Sequence, residues 1–334
     1  MNTRRYIVSG MCITTLVAIG YYFGGDTDTV QNTGEAEANA PETALWVGPD
    51  QQELDTTTES GKLIAYGRDL LAHTAKYFGP KGSVRPMANG LNCQNCHLEG
   101  GTKPWGNNYG AVYSTYPRLR SRSGEVEDIY RRINDCFERS MNGEVLDTTS
   151  REVRALYAYF KWVGKEVPRG VKPPGAGLRE LTFLDRPADT IRGKAIYIQK
   201  CQLCHGPEGK GQLNEDGKTY LYPPLWGEDS YTTAAGMYRL TKFAGYVYDN
   251  MPFGSTWQAR QLTEEEAWDV AAFVNSRPRP VKTFSGDWPD ISLKPIDAPF
   301  GPYADPFTEE QHKFGPFGPI AAFYAESRTA KKPQ

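Results

Sequence analysis

The chain carries the pattern Cys-x-x-Cys-His twice, as Cys93-Gln-Asn-Cys96-His97 and Cys201-Gln-Leu-Cys204-His205. In this pattern both thiols can form thioether bonds to a haem, and the His that follows can take one axial position on its iron. A single copy is compatible with a zinc knuckle. Two copies, each with His directly after the second Cys, are a poor fit to zinc, because the two Cys pairs lie much farther apart than in a zinc ribbon. The residues therefore predict two covalently bound haem c, one at Cys93, Cys96 and His97 and one at Cys201, Cys204 and His205.

A chain of 334 residues is expected to form about two domains, which agrees with two haem motifs. With 34 Gly, 24 Pro and 12% aromatic residues, it suits a loop-rich, all-α protein that packs side chains on porphyrin rather than on long sheets. A formal net charge of −2 gives no bulk basicity for nucleic acid or an acidic membrane surface. Any anion site must come from local charge.

The N-terminus starts with Arg4 and Arg5, runs apolar from Tyr6 to Phe23, and then meets Asp26 and Asp28. A basic flank before an apolar run predicts export with the body outside the cytoplasm, in the periplasm. The run is close to the length of about 20 residues that spans a membrane. That favours an uncleaved inner-membrane anchor over a removed signal peptide for residues 1–23. Residues 24–60 are polar and read as a flexible tether.

Helical spacing then recurs over Ile64–Phe78, Gly124–Met141 and Thr149–Val163, in a first haem domain at 61–165. Several prolines mark a linker at 166–190. The second domain, 191–280, repeats the plan with helices at Ile191–Lys200, Thr232–Asp249 and Thr263–Asn275. The string Leu156-Tyr157-Ala158-Tyr159-Phe160 aligns with Val270-Ala271-Ala272-Phe273-Val274, as expected for an internal duplication. The expected fold is two tandem class I cytochrome c-like domains followed by an extended tail at 281–334, with a short helix near Ile320–Ser327.

Each iron needs a distal ligand or an open position. In the second unit Met251-Pro252 falls where small c-type cytochromes carry a distal methionine, whose thioether raises the potential. Met237 is the competing choice. The first unit has no such Met-Pro. It has Arg131-Arg132-Ile133-Asn134-Asp135-Cys136-Phe137-Glu138-Arg139-Ser140-Met141-Asn142-Gly143 instead. On a helix, Arg132, Cys136 and Ser140 share one face. A thiol between a guanidinium and a hydroxyl favours thiolate and docks anions. The residues alone leave open a second reading, in which Cys136 is a small buried side chain and Met141 or His73 is the ligand.

At this point the chain resembles the thiosulfate dehydrogenase family of dihaem cytochromes, over nearly all of residues 60–280 and most specifically over Arg131–Gly143. The resemblance implies His97 and Cys136 on the active-site haem, and His205 and Met251 on the electron-transfer haem. It implies that Arg122, Arg132 and Ser140 line the substrate pocket. Some members place a Lys just before the distal Met and exchange ligands with redox state; Asn250 occupies that position here. The implied reaction joins two thiosulfates into tetrathionate and passes two electrons to an external carrier such as a small c-type cytochrome. The family runs the reaction in both directions. The alternative is a membrane-tethered dihaem electron carrier without substrate chemistry, with Met on both irons and no use for Cys136.

Overall fold

The structure, a computed structural model, describes residues 45–330. The expected anchor, Cys12 and most of the expected tether lie outside the described residues. From residue 45 onward the chain is not a free tether. Trp46 is buried, and its N–H donates to the Pro174 carbonyl at 2.8 Å. Burial of an indole this large favours holding this stretch against the body. Among the described residues, no helix is long and apolar enough to cross a membrane.

The first unit is built on helices α1 (Glu59–Ala72), α2 (Ile129–Asp135) and α3 (Arg151–Val163). The second is built on α4 (Thr190–Lys200), α5 (Leu240–Asn250) and α6 (Glu264–Asn275). Helix starts follow local capping chemistry. The Thr58 side chain accepts from the Gly61 N–H, and Ser150 accepts from the Val153 N–H. Thr263 and Glu266 form a reciprocal capping box.

The internal duplication is visible at atomic detail. α1 crosses α3 so closely that a Cβ on Gly67 would lie 2.0 Å from the Ala155 carbonyl oxygen and 2.9 Å from the Tyr159 Cβ. α4 crosses α6 in the same way: a Cβ on Gly193 would lie 1.9 Å from the Asp269 oxygen and 2.9 Å from the Phe273 Cβ. Tyr159 and Phe273 are the partners that the sequence alignment pairs. Only glycine permits these backbone contacts. Gly193→Ala is therefore expected to destabilise the second unit by about 1–3 kcal/mol through overpacking. Denaturant unfolding would read this as a lowered midpoint, and an unchanged midpoint would mean the crossing relaxes freely.

Three expected elements differ from what forms. The helix expected over Ile64–Phe78 starts earlier and breaks at His73, with a separate short helix at Thr74–Phe78. The helix expected from Gly124 starts only at Ile129, where the Asp128 side chain accepts from the Arg131 N–H. Before it, β1 (Arg118–Arg120) and β2 (Glu125–Glu127) form an antiparallel hairpin. A second hairpin joins β3 (Gln212–Leu213) to β4 (Tyr220–Tyr222). In place of a helix from Thr232, residues before Leu240 form turns. The fold is thus two mainly helical units with small hairpins.

The tail crosses both units and ends in α7 (Phe317–Ala330). Asp297 in the tail takes the Arg239 guanidinium, with Nε 2.7 Å from Oδ1. His312, 1% exposed, bonds the Ile296 carbonyl through Nδ1 at 2.7 Å and Asp305 through Nε2 at 3.0 Å. Its ring stacks on Tyr303 with centroids 3.7 Å apart. The units also bond directly: Asn89 Nδ2 donates to the Ser230 carbonyl at 3.1 Å, and the Thr232 hydroxyl donates to the Arg139 carbonyl.

Candidate haem sites and the Cys136 cavity

The first attachment loop is fastened to the end of α1 and the turn after it. Asn92 Oδ1 accepts from the Ala75 N–H at 2.8 Å. Thr74 Oγ1 accepts from the Cys93 N–H at 3.0 Å and lies 3.3 Å from its Sγ. His97 points Nδ1 at the Asn107 carbonyl, while the Asn107 N–H donates to the Gly177 carbonyl at 2.8 Å. The linker thus supports the histidine through one residue. Burial lowers the His97 pKa to about 4, so the ring is neutral at neutral pH. With Nδ1–H donated to a carbonyl, Nε2 keeps a free lone pair.

His205 repeats the arrangement. Its Nδ1 lies 2.9 Å from the Pro223 carbonyl, and burial holds its pKa below the ordinary value.

Each histidine faces a large cavity. The first encloses about 1030 Å³ and is lined by Cys93, His97, Tyr109, Arg132, Cys136 and Phe160 among others. The second encloses about 770 Å³ and is lined by Cys201, Cys204, His205, Phe243, Val247 and Met251 among others. These sizes fall in the range of cofactor pockets. In both, apolar walls, at least one attachment thiol (Cys93 in the first, Cys201 and Cys204 in the second), a neutral imidazole and a second sulfur donor meet in one space. The residues present fit a covalently held haem in each unit.

The other histidines line neither cavity. His73 sits at the surface with Nε2 3.7 Å from Asp69 Oδ1, and His312 is held in the tail. Met141 and Met237 are buried elsewhere in the core.

Cys136 begins a π-helical turn, Cys136–Ser140, directly after α2. The Met141 N–H reaches back to the Cys136 carbonyl at 3.1 Å, one residue beyond the α-helical partner. Such turns recur at functional sites because they re-aim one side chain. Arg132 shares the cavity with Cys136. The guanidinium pKa is pushed above its ordinary value, first by its electrostatic interaction with Cys136, against the opposing effect of burial.

The four-residue face expected from the sequence holds from Arg132 to Cys136 and then shifts. Ser140 is half-buried and lines neither haem cavity. Arg122 faces a neighbouring cavity instead, and its guanidinium carbon lies 5.6 Å from the Trp288 ring centroid.

Sequence reasoning missed what fixes this turn. Arg139 is clamped by Asp287 of the tail, at 2.6 Å and 2.7 Å, and packs on Phe284 at 3.9 Å. No local periodicity reports a bond between residues so distant in the chain.

The first attachment loop borders both cavities. Asn95, inside the first attachment motif, lines the second cavity. Its carbonyl accepts from the Tyr246 hydroxyl at 2.7 Å. Asn250 is buried, and its Nδ2 donates to the Trp105 and Tyr246 carbonyls at 3.0 Å and 2.9 Å. It joins the units rather than facing the second cavity.

Two duplicated helical units, each with a Cys-x-x-Cys-His loop and a fitting cavity, define a dihaem c-type cytochrome. Residues 84–168 match the family described as SoxA/TsdA, cytochrome c domain, and residues 191–278 match cytochrome c. The chain is 36% identical over 243 residues to the thiosulfate dehydrogenase of Psychrobacter arcticus, covering 72% of this chain and 71% of that one. It is 35% identical over 285 residues to the thiosulfate dehydrogenase of Allochromatium vinosum, covering 84% and 96%. The solved thiosulfate dehydrogenase (TsdBA) of Marichromatium purpuratum, in its "as isolated" form, superposes with a TM-score of 0.66 at 31% identity. That match covers 77% of this chain and 54% of the other, about half its length. The chain belongs to the thiosulfate dehydrogenase family, and two haem c are covalently bound in its two domains.

Proposed function

We propose that the protein oxidises thiosulfate at the Cys136 cavity and forms tetrathionate: two thiosulfates give one tetrathionate and two electrons. The observation that carries this reading is the Cys136 thiol and the Arg132 guanidinium lying in the cavity that also holds His97. A plain electron carrier has no use for that pair. In the proposed assignment Cys93 and Cys96 would attach the first haem, and His97 and Cys136 would be its nitrogen and sulfur donors. Cys201 and Cys204 attach the second, with His205 and Met251. The haems supply storage for the two electrons.

The chain's own residues do the rest. Arg132 draws the dianion in and offsets repulsion between two substrates. The Cys136 Sγ bonds the sulfane sulfur with loss of two electrons, which the two haems would take up, giving a cysteine S-thiosulfonate. A second thiosulfate attacks that sulfur, and tetrathionate leaves as the Cys136 thiolate returns. Ser140 ends the turn as a hydroxyl donor, and Arg122 stands near it as a further positive charge. The contact between Asn95 and Tyr246 supports passage of electrons from the first unit to the second, and from there to an external cytochrome. The relatives and the c-type domains support an exported, periplasmic location.

Arg132→Ala is expected to lower kcat/KM for thiosulfate about 10- to 150-fold, from loss of a charge-assisted hydrogen bond of about 1.5–3 kcal/mol. Steady-state kinetics with a cytochrome acceptor would measure it. Unchanged kinetics would move the substrate elsewhere.

A further inference from the structure

Arg279 follows α6 and is only 9% exposed. Its backbone is held on both sides, by the Gly227 N–H donating to the Pro278 carbonyl at 2.8 Å and the Thr233 N–H donating to the Pro280 carbonyl at 3.0 Å. The guanidinium lies between two tyrosines, its carbon 4.3 Å from the Tyr231 ring centroid and 5.0 Å from that of Tyr238. Asn275 steadies both: its Oδ1 accepts from the Tyr231 hydroxyl at 2.8 Å, and its Nδ2 donates to the Tyr238 carbonyl at 3.2 Å. Arg279 Nη2 donates to the Val274 carbonyl at 2.6 Å. Its Nε and Nη1 are buried and have no hydrogen-bond partner among the described residues. The guanidinium thus meets one carbonyl and no carboxylate. Burial raises the Tyr231 pKa to about 12 against the pull of Arg279, so the phenol is neutral and is not the counter-ion. Stacking on two rings offsets part of the cost of a buried cation, but orphaned N–H groups remain costly.

The surroundings of Arg279 border the second haem cavity. Val274, whose carbonyl it bonds, lines that cavity, and so does Phe243, whose ring lies 6.1 Å from that of Tyr231. A haem carries its two carboxylates on the edge opposite its thioether bonds. Leu203, between the two attachment cysteines of the second unit, is 88% exposed. That places the thioether edge of the second haem at the surface and turns its carboxylate edge inward. Among the described residues lining this cavity, the one cation is Lys200, and Glu266 already holds it at 3.2 Å. The first haem is excluded as the source of the anion. Tyr231 interacts electrostatically with Cys96, so the thioether edge of the first haem, not its carboxylate edge, is turned toward this spot.

We propose that Arg279 is the counter-ion of a buried carboxylate of the second haem, which its Nε and Nη1 bind as a charge-assisted pair. A guanidinium suits this role because it is always charged and presents two parallel donors to one carboxylate. The pair keeps the carboxylate ionised with its charge balanced. An unbalanced carboxylate beside the iron would favour the ferric state and lower the potential. Arg279 therefore helps to hold the second haem at the potential from which it can receive electrons. It acts at the carboxylate edge, apart from the axial positions on the iron.

Redox titration of the dihaem protein at several pH values tests this with Arg279→Gln, Arg279→Met and Arg279→Lys, each checked by mass for two covalent haems. Methionine keeps the packing between the tyrosines without the charge, so either neutral variant suffices if the other does not fold. The haem whose potential moves in Met251→Leu is the second. If neither moves, the Met251 assignment fails on its own account, and Cys136→Ala marks the first haem instead. In the neutral variants the unpaired buried carboxyl takes up a proton, and raising the pH removes it. The negative charge left behind stabilises the ferric iron, so the second potential falls with rising pH. The expected fall is about tenfold in the ferric-to-ferrous ratio, or about 59 mV for one electron. The wild type and Arg279→Lys should stay nearly flat over the same range, and the first haem should not respond. A pH-independent change, or none, in the neutral variants makes Arg279 a packing residue and overturns the proposal. A response on the first haem overturns the assignment to the second. Arg279→Lys behaving like Arg279→Gln would show that the charge is not the agent.

Discussion

Cys136→Ala is expected to reduce thiosulfate-dependent reduction of a cytochrome acceptor by a factor on the order of 10⁴ or more, the scale seen when a nucleophile is removed from its site. The substitution takes away the sulfur that bonds the sulfane sulfur. In the proposed assignment it also takes away an axial donor of the first haem. Arg132 keeps its place in the cavity and can still attract the dianion, so binding survives while chemistry stops. The turn itself should persist. Its bonds run through the Cys136 carbonyl and the Arg139–Asp287 clamp, neither of which involves Sγ. The second haem should still be reduced by a chemical reductant. Turnover close to wild type would make Cys136 a bystander and favour the electron-carrier reading.

The second large effect is expected at Met251. Its side chain lines the second cavity with His205, directly after α5 ends at Asn250. Met251→Leu keeps nearly the same volume, so packing should change little, but it removes the thioether. A thioether favours the reduced iron relative to a thiolate, whose negative charge stabilises the ferric state. Its loss should lower the potential of the second haem by an amount on the order of 100 mV, a modest part of the roughly 0.8 V range set by axial ligands. Electrons would then leave the Cys136 unit against a smaller drop, and delivery outward would slow. Thiosulfate binding should be almost unaffected. A redox titration reads the shift directly. A second haem of unchanged potential would mean that another group is its ligand.

Much of this was legible in the sequence because the relevant chemistry is local. Thioether attachment and the proximal histidine occupy five consecutive residues, so they survive without any structure. The alignment of the last helix of each unit was legible for a related reason. Tyr159 and Phe273 sit at equivalent crossings, and the same steric demand produced Gly67 and Gly193. The string Arg131–Gly143 pointed to this segment, but not to its shape. Propensity does not announce a π turn, so Ser140 was expected on a face that the register change moves away. Arg122 was expected in the same pocket as Arg132, yet the hairpin β1–β2 turns it toward the tail. That hairpin is short and charged, and its pairing depends on packing rather than on apolar alternation.

The tail was the least legible part. Its Pro-, Gly- and Phe-rich composition carries no period, and its work is done by long-range bonds. Asp287 on Arg139, Asp297 on Arg239 and the buried His312 with Asp305 are each invisible until the chain is folded. The same holds for the Asn95–Tyr246 contact, which joins an attachment motif of one unit to a helix of the other.

The central claim is that this chain joins two thiosulfates at Cys136. The most direct measurement follows thiosulfate consumed, tetrathionate formed and cytochrome acceptor reduced in a single reaction with the purified dihaem protein. The account predicts one tetrathionate for every two thiosulfates and every two electrons accepted, with all three rates falling together in Cys136→Ala. Acceptor reduction without tetrathionate, or tetrathionate formation that survives Cys136→Ala, would contradict it.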